Sequence, residues 1–177
     1  PWTIPANKAL AYNSNIDYSL LEIDKTDFFS DTKIVVATNL INDFISSCNI
    51  QKFKKLNTFK GEEFKNTICT HPFLKLGFKH DVPMLNASFV NLEQGTGIVH
   101  CAPSHGPDDF NLCLKNNIPS KYTVDNSGCY TNEIPFFDNL HVFKADKEVI
   151  QKLKDEKVLL SSDKLQHSYP HSWRSKA

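Results

Sequence analysis

Apolar and polar positions change period several times along this chain. Residues 15–23 (NIDYSLLEI) and 33–37 (KIVVA) concentrate β-branched and aromatic side chains and predict two strands. Leu40, Ile41, Phe44 and Ile45 then fall at helical spacing, predicting a short helix from Leu40 to about Cys48 with Thr38-Asn39 as its cap. Residues 50–70 mix lysines with aromatic and polar residues, the pattern of exposed strands or a connecting arm. Residues 83–101 alternate and then run apolar, predicting two strands joined around Gln94-Gly95. Pro107, Asp108 and Asp109 suit the first turn of a helix reaching about Asn116, where acids meet the positive end of the helix dipole. Asn126-Ser127-Gly128 reads as a turn, and 145–156 as a helix carrying Ala145, Val149, Ile150 and Leu153 on one face.

Many short strands with three helices predict a β-rich α+β fold, a central β-barrel of short strands with peripheral α-helices. At 177 residues and 40% hydrophobic content the chain can bury a real core, so residues 1–177 are expected to form one domain. Twenty basic residues balance twenty acidic ones, which removes the basic excess of an autonomous nucleic-acid binder. The five cysteines form no CxxC pair or zinc-finger spacing, and the simplest expectation is a reducing, cytoplasmic compartment. No apolar run approaches the roughly 18 residues of a membrane span, and no signal-peptide pattern opens the chain. A sequence running from Pro1-Trp2 to Ala177 is expected to be a domain cut from a longer protein.

The chemistry concentrates in Gly95-Thr96-Gly97-Ile98-Val99-His100-Cys101-Ala102-Pro103-Ser104-His105-Gly106-Pro107-Asp108-Asp109-Phe110. This segment leaves a strand and enters a helix, where backbone amides and side chains can meet a substrate together. His100, His105 and Asp109, with His167 and His171 further on, raise a metal, yet their spacing matches no zinc motif and Pro170 opposes a shared helix face. Cys101 beside His100 raises a thiol hydrolase, but neighbours on a strand point to opposite faces. His100 can equally be a strand-end imidazole bonded to backbone, and Asp109 a dipole-compensating acid. Residue chemistry alone leaves a polar, glycine-bearing site beside a helix and no reaction.

Four collinear motifs add to this reading: Pro1-Trp2-Thr3-Ile4-Pro5-Ala6-Asn7; Thr70-His71-Pro72-Phe73; the Gly95–Asp109 segment; and His167-Ser168-Tyr169-Pro170-His171-Ser172-Trp173-Arg174. Together they make the chain resemble the editing domain of isoleucyl-tRNA synthetases, a connective polypeptide inserted in the nucleotide-binding fold of these class I enzymes. The opening motif resembles the isoleucyl type more than the valyl or leucyl types. The resemblance implies hydrolysis of valine wrongly esterified to the 3' end of isoleucine tRNA. A hydrophobic pocket distinguishes one methylene by only about 1–3 kcal/mol, a limit for which isoleucyl-tRNA synthetase is itself the standard illustration. A second, smaller pocket overcomes that limit by admitting valine and clashing with isoleucine.

The resemblance also implies roles. Asp109 would hold the substrate's α-ammonium and His100 would line the pocket, these two being the expected catalytic pair. Trp2, Thr3 and Asn7 would belong to a strand bordering the pocket, with Tyr169 packing across from Trp2, as substrate-binding residues. No covalent nucleophile, metal or other cofactor is implied, because an aminoacyl ester is already activated and needs a placed water and oxyanion donors. The expected partners are the isoleucine tRNA 3' end carrying valine and the rest of the synthetase, with no membrane, in a monomer. A family threonine run belongs immediately before the proline matching Pro1, so weak activity is expected of residues 1–177 alone. A non-hydrolytic module that binds a tRNA end or a neighbouring domain is the alternative.

Overall fold

The computed structural model describes residues 1–29, 32–93 and 95–163. Among these residues seven strands and three α-helices make a mixed, sheet-rich α+β fold: β1 (Ala9–Tyr12), β2 (Asp17–Ile23), β3 (Lys33–Ala37), α1 (Ile41–Ser47), β4 (Phe53–Lys60), β5 (Ile68–Thr70), β6 (Asp81–Asn86), β7 (Val99–Cys101), α2 (Pro107–Lys115) and α3 (Val142–Asp155). Among the described residues the strands form two sheets, one ordered β5-β6-β1-β7 and one ordered β3-β2-β4. No closed barrel is found, which corrects the expectation of a barrel. The second sheet ends on β4, whose residues are nearly all exposed, so it stops at a solvated edge instead of curling back.

The strand-to-strand hairpin expected within 83–101 is also corrected. β6 and β7 do not pair; β1 lies between them, parallel to β6 and antiparallel to β7. β1 fits there because Ala9 and Ala11 are fully buried on one face, where their small methyls let Leu112 and Cys113 of α2 pack closely. The cap expected at Thr38 is absent: a 3-10 turn over Thr38–Leu40 precedes α1, and the Thr38 hydroxyl instead bonds Ser19 Oγ at 2.9 Å. α3 starts three residues before the expected 145, because His141 caps it, its Nδ1 accepting the Phe143 N–H at 3.2 Å. The predicted face is otherwise right, with Ala145, Val149 and Leu153 buried beside Val142.

The two sheets are tied through the Gly95–Asp109 segment. Ala37 N–H donates to Thr96 C=O at 2.8 Å, and the buried Tyr18 hydroxyl donates to Gly97 C=O at 2.7 Å. Gly97 is required here: its φ is +73° and an added Cβ would lie 2.5 Å from Ala37 Cβ. An aromatic core of Phe73, Phe78, Tyr130 and Phe137 packs under α3 and carries the partly buried Trp2 and Ile4 on its margin. The opening turn is therefore seated on core.

Candidate functional site

Three of the four sequence motifs converge on one small cavity of about 170 Å³, lined by Ile4, Asn7, Leu10, Thr70, Pro72, Val82 and His100. Its wall is almost entirely apolar carbon, and the lining residues come from four separate stretches of the chain, at 4–10, 70–72, 82 and 100. Sheet register explains two of them. Leu10 on β1 faces His100 on β7, so both side chains project from the same face. Cys101, one residue on, pairs with Ala9 and turns into the opposite core with Leu112 and Cys113.

A network of imidazoles holds the opening turn against this cavity. Residues Ile4–Ala6 form a 3-10 turn with Pro5 near its start, closed by Asn7 N–H donating to Ile4 C=O at 3.0 Å. His71, only 2% exposed, accepts the Phe73 N–H on Nδ1 at 3.0 Å and donates from Nε2 to the same Ile4 carbonyl at 3.1 Å. Its ring stacks on Phe78, centroids 4.6 Å apart. His80 Nε2 donates to Asn7 C=O at 2.9 Å. Burial depresses both histidines below the ordinary imidazole value, His71 to about 4, so the network is built from neutral rings.

Asn7 is the junction. Its Nδ2 donates to Ala9 C=O at 2.9 Å and meets His100 Nδ1 at 2.6 Å. His100 Nε2 is closed off from solvent and has no hydrogen-bond partner among the described residues. Burial first and then the Pro1 amine push its pKa down to about 4; the Thr3 backbone, which lies close enough to raise it, stands outside hydrogen-bond geometry with Nε2.

Asp109 occupies the third position of α2 and reaches back over the turn, its Oδ2 accepting the Ala102 N–H at 2.9 Å. Half-burial raises its pKa first of all; the Ala102 hydrogen bond opposes that shift. Oδ1 has no hydrogen-bond partner among the described residues. The His105 ring meets Trp2 edge-on at 4.7 Å, its Nε2 contacts Thr123 Oγ1 at 3.0 Å, and both Asp109 and His100 act on it electrostatically. Trp2 is fixed at both ends of its peptide, N–H to Asp146 Oδ1 at 2.9 Å and C=O from the Tyr130 hydroxyl. A shallower groove of about 420 Å³ opens on the far side of His105, lined by Ser104, Phe110, Lys121, Tyr122 and Thr123 among others.

The fold thus brings Asn7 and His100 into contact and sets Trp2 against His105, with Asp109 near enough to act on that ring electrostatically. Thr3 stands just before the 3-10 turn, its carbonyl accepting from Ala6 N–H at 3.0 Å and its side chain making no cap bond, so the strand expected through Trp2, Thr3 and Asn7 is corrected to a 3-10 turn that Pro5 favours. Tyr169, with His167 and His171, lies outside the described residues. His80 and Thr123 were not singled out from the sequence, and nothing local signalled them; His71 stood only as part of a motif, and His105 as part of the Gly95–Asp109 segment and of the metal reading. Cys101 is no nucleophile, since burial pushes its thiol up to about 12, with Asp109 adding to the effect. Among the described residues no three His, Cys, Asp or Glu side chains converge on a metal position.

Comparison with known proteins fits these features. Residues 31–157 match the family described as "Leucyl-tRNA synthetase, editing domain". The chain belongs to this editing-domain family. Its relatives by sequence are isoleucine–tRNA ligases: that of Pelagibacter ubique (strain HTCC1062) is 59% identical over 177 residues, all of this chain and 20% of the relative. That of Gluconobacter oxydans (strain 621H) is 39% identical over 192 residues, again all of this chain and 20% of the relative. The chain therefore spans about a fifth of these ligases. Among solved structures, the editing domain resembles GlLeuRS-CP1 with a TM-score of 0.53 at 16% identity, covering 89% of this chain and 63% of that one. The P. falciparum cytosolic leucyl-tRNA synthetase editing domain with two insertions deleted gives 0.51 at 21% identity, covering 89% and 60%. Both likenesses speak to the fold.

Proposed function

We propose that this editing domain hydrolyses the ester of misacylated tRNA, chiefly valyl-tRNA(Ile), within a cytoplasmic isoleucine–tRNA ligase. The observation that carries the reading is the convergence of Ile4, Asn7, Thr70, Pro72 and His100, from three separate motifs, on one apolar cavity of about 170 Å³. A cavity of about 150 Å³ accommodates a benzene ring, so this one suits a short aliphatic side chain. Rejection of a longer one would then come from overlap with packed walls, which is steeper than the loss of a contact.

In this reading the unbonded Oδ1 of Asp109 holds the α-ammonium, and its partly buried setting strengthens that charge-assisted bond. Trp2 and Thr3 border the substrate, and the ring of His100 forms part of the wall. Water adds to the ester carbonyl carbon, giving a tetrahedral oxyanion. Its collapse breaks the carbon–oxygen bond to the ribose, whose oxygen takes up the proton that the water gives away. Free valine and uncharged tRNA leave. The protein's contribution is placement and electrostatic support, with no acyl-enzyme step. The balanced charge of the chain fits tRNA affinity supplied by the rest of the synthetase, with tethering raising the local concentration of the acceptor end.

The test is single-turnover deacylation of valyl-tRNA(Ile) by the whole ligase that carries this chain, wild type against Asp109→Ala. The variant should lose hydrolysis by about a hundredfold or more while isoleucine activation stays intact. Normal deacylation by the variant would refute the ammonium anchor, and no deacylation by the wild type would refute the function.

A further inference from the structure

Resting on the deacylation reading above, we propose that Asn7 is a positioning residue that holds His100 as its Nε2–H tautomer. His100 then serves the reaction as a hydrogen-bond donor to an oxygen of the aminoacyl-ribose ester, and not as a general base. The tautomer follows from the hydrogen-bond network around Asn7. The Ala9 carbonyl, 2.9 Å from the Asn7 amide, accepts only, so the nitrogen of that amide must face it. Turning the amide over would set two oxygens against each other in a buried site. With the nitrogen so placed, its second hydrogen points along the 2.6 Å contact to His100 Nδ1, which must therefore accept. A neutral imidazole with an accepting Nδ1 carries its proton on Nε2.

The consequence is a buried donor without an acceptor. His100 Nε2 is the only buried side-chain nitrogen or oxygen lacking a partner among the described residues. Such an atom costs free energy until something bonds it, and an ester or ribose oxygen entering the cavity supplies the missing acceptor. Nε2 is shielded from solvent although His100 lines the cavity, so the ring packing must adjust as an ester oxygen enters. The charged and titratable groups acting on the ring are the Pro1 amine, His71 and His105. No carboxylate among them would pin a proton on Nδ1. The opening turn fixes the amide in its turn: Asn7 gives its N–H to Ile4, takes the His80 proton on its carbonyl, and shares the Ile4 acceptor with His71.

Two variants of the whole ligase test this by single-turnover deacylation of valyl-tRNA(Ile), with isoleucine activation as the check on folding. In Asn7→Asp the new carboxylate accepts from Nδ1–H and reverses the tautomer. Nε2 can then donate only while the ring is an imidazolium. The variant-to-wild-type rate ratio should fall by about tenfold or more between roughly pH 5.5 and 8.5, because rising pH removes the Nε2 proton. A base would respond in the opposite sense, since an aspartate–histidine pair makes Nε2 a better acceptor as it deprotonates. A ratio that rises or stays flat overturns the proposal. His100→Gln keeps an N–H donor without basicity and should stay within about tenfold of wild type, whereas His100→Phe should lose about a hundredfold. Glutamine as slow as phenylalanine also overturns it. Absence of deacylation by the wild type would fail the function itself, an outcome separate from both.

Discussion

Lowering the pH from 7 to 5 should destabilise this domain by about 2 kcal/mol through His71 alone. The ring is buried, accepts the Phe73 N–H on Nδ1 and donates to Ile4 C=O, so protonation would put two N–H groups against each other. Burial is the first cause of its depression from 6.5 to about 4. A base whose folded value is lowered favours the neutral form in the fold. Its stabilising effect is present above pH 6.5, shrinks as the unfolded chain takes up a proton, and is fully lost below about 4. At about 1.4 kcal/mol per unit the full swing is about 3 kcal/mol, of which roughly 2 falls between pH 7 and 5. The assay is urea unfolding of the wild type and His71→Gln at both pH values. His80 and His100 titrate in both proteins, so the difference between the two pH dependences isolates His71. Parallel pH dependences would refute the reasoning.

Two further outcomes follow from the packing. Gly97→Ala combines a φ of +73° with a Cβ placed 2.5 Å from Ala37 Cβ, and should cost about 2–3 kcal/mol, read as a lowered urea midpoint at an unchanged slope; a loss under about 0.5 kcal/mol would show that the segment relaxes freely. Cys101 and Cys113 are fully buried with raised thiol values, so a soluble disulfide reagent should modify Cys48, Cys69 and Cys129 at least about tenfold faster in the folded protein, as followed by peptide mass. Equal rates at all five would contradict that burial.

Local pattern revealed elements where the chain decides its own conformation. β3 and α2 fall where their β-branched run and Pro-Asp-Asp start predicted them, because strand preference and helix-dipole complementarity are properties of neighbours in sequence. β1 was missed for the opposite reason. Ala-Leu-Ala-Tyr has no strand preference, and those residues are extended because β6 and β7, some 75 and 90 positions away, close on both sides. Missing β1 made β6 and β7 look like each other's partners, while the barrel expectation rested on the number of short strands, which does not decide whether a sheet closes. No periodicity encodes which strand edge a short segment will fill.

The site divides along the same line. His100 and Asp109 could be named from their motif, yet a motif carries residue types and not protonation. Asn7 read as a border residue, and only tertiary structure shows that its amide touches a carbonyl two residues on and an imidazole 93 residues on. That pair of contacts converts a choice between base and donor into a matter of hydrogen-bond direction. Asp109 shows the same principle with the opposite sign. One of its oxygens accepts the Ala102 N–H and closes the turn before α2, whereas α2 itself has no side-chain cap, and that bond aims the other. Turn-closing acid and ammonium anchor are then compatible roles of one carboxylate. A carboxylate with both oxygens free would have to order itself as the substrate bound, at a cost in side-chain entropy that the Ala102 bond has already met in the folded chain.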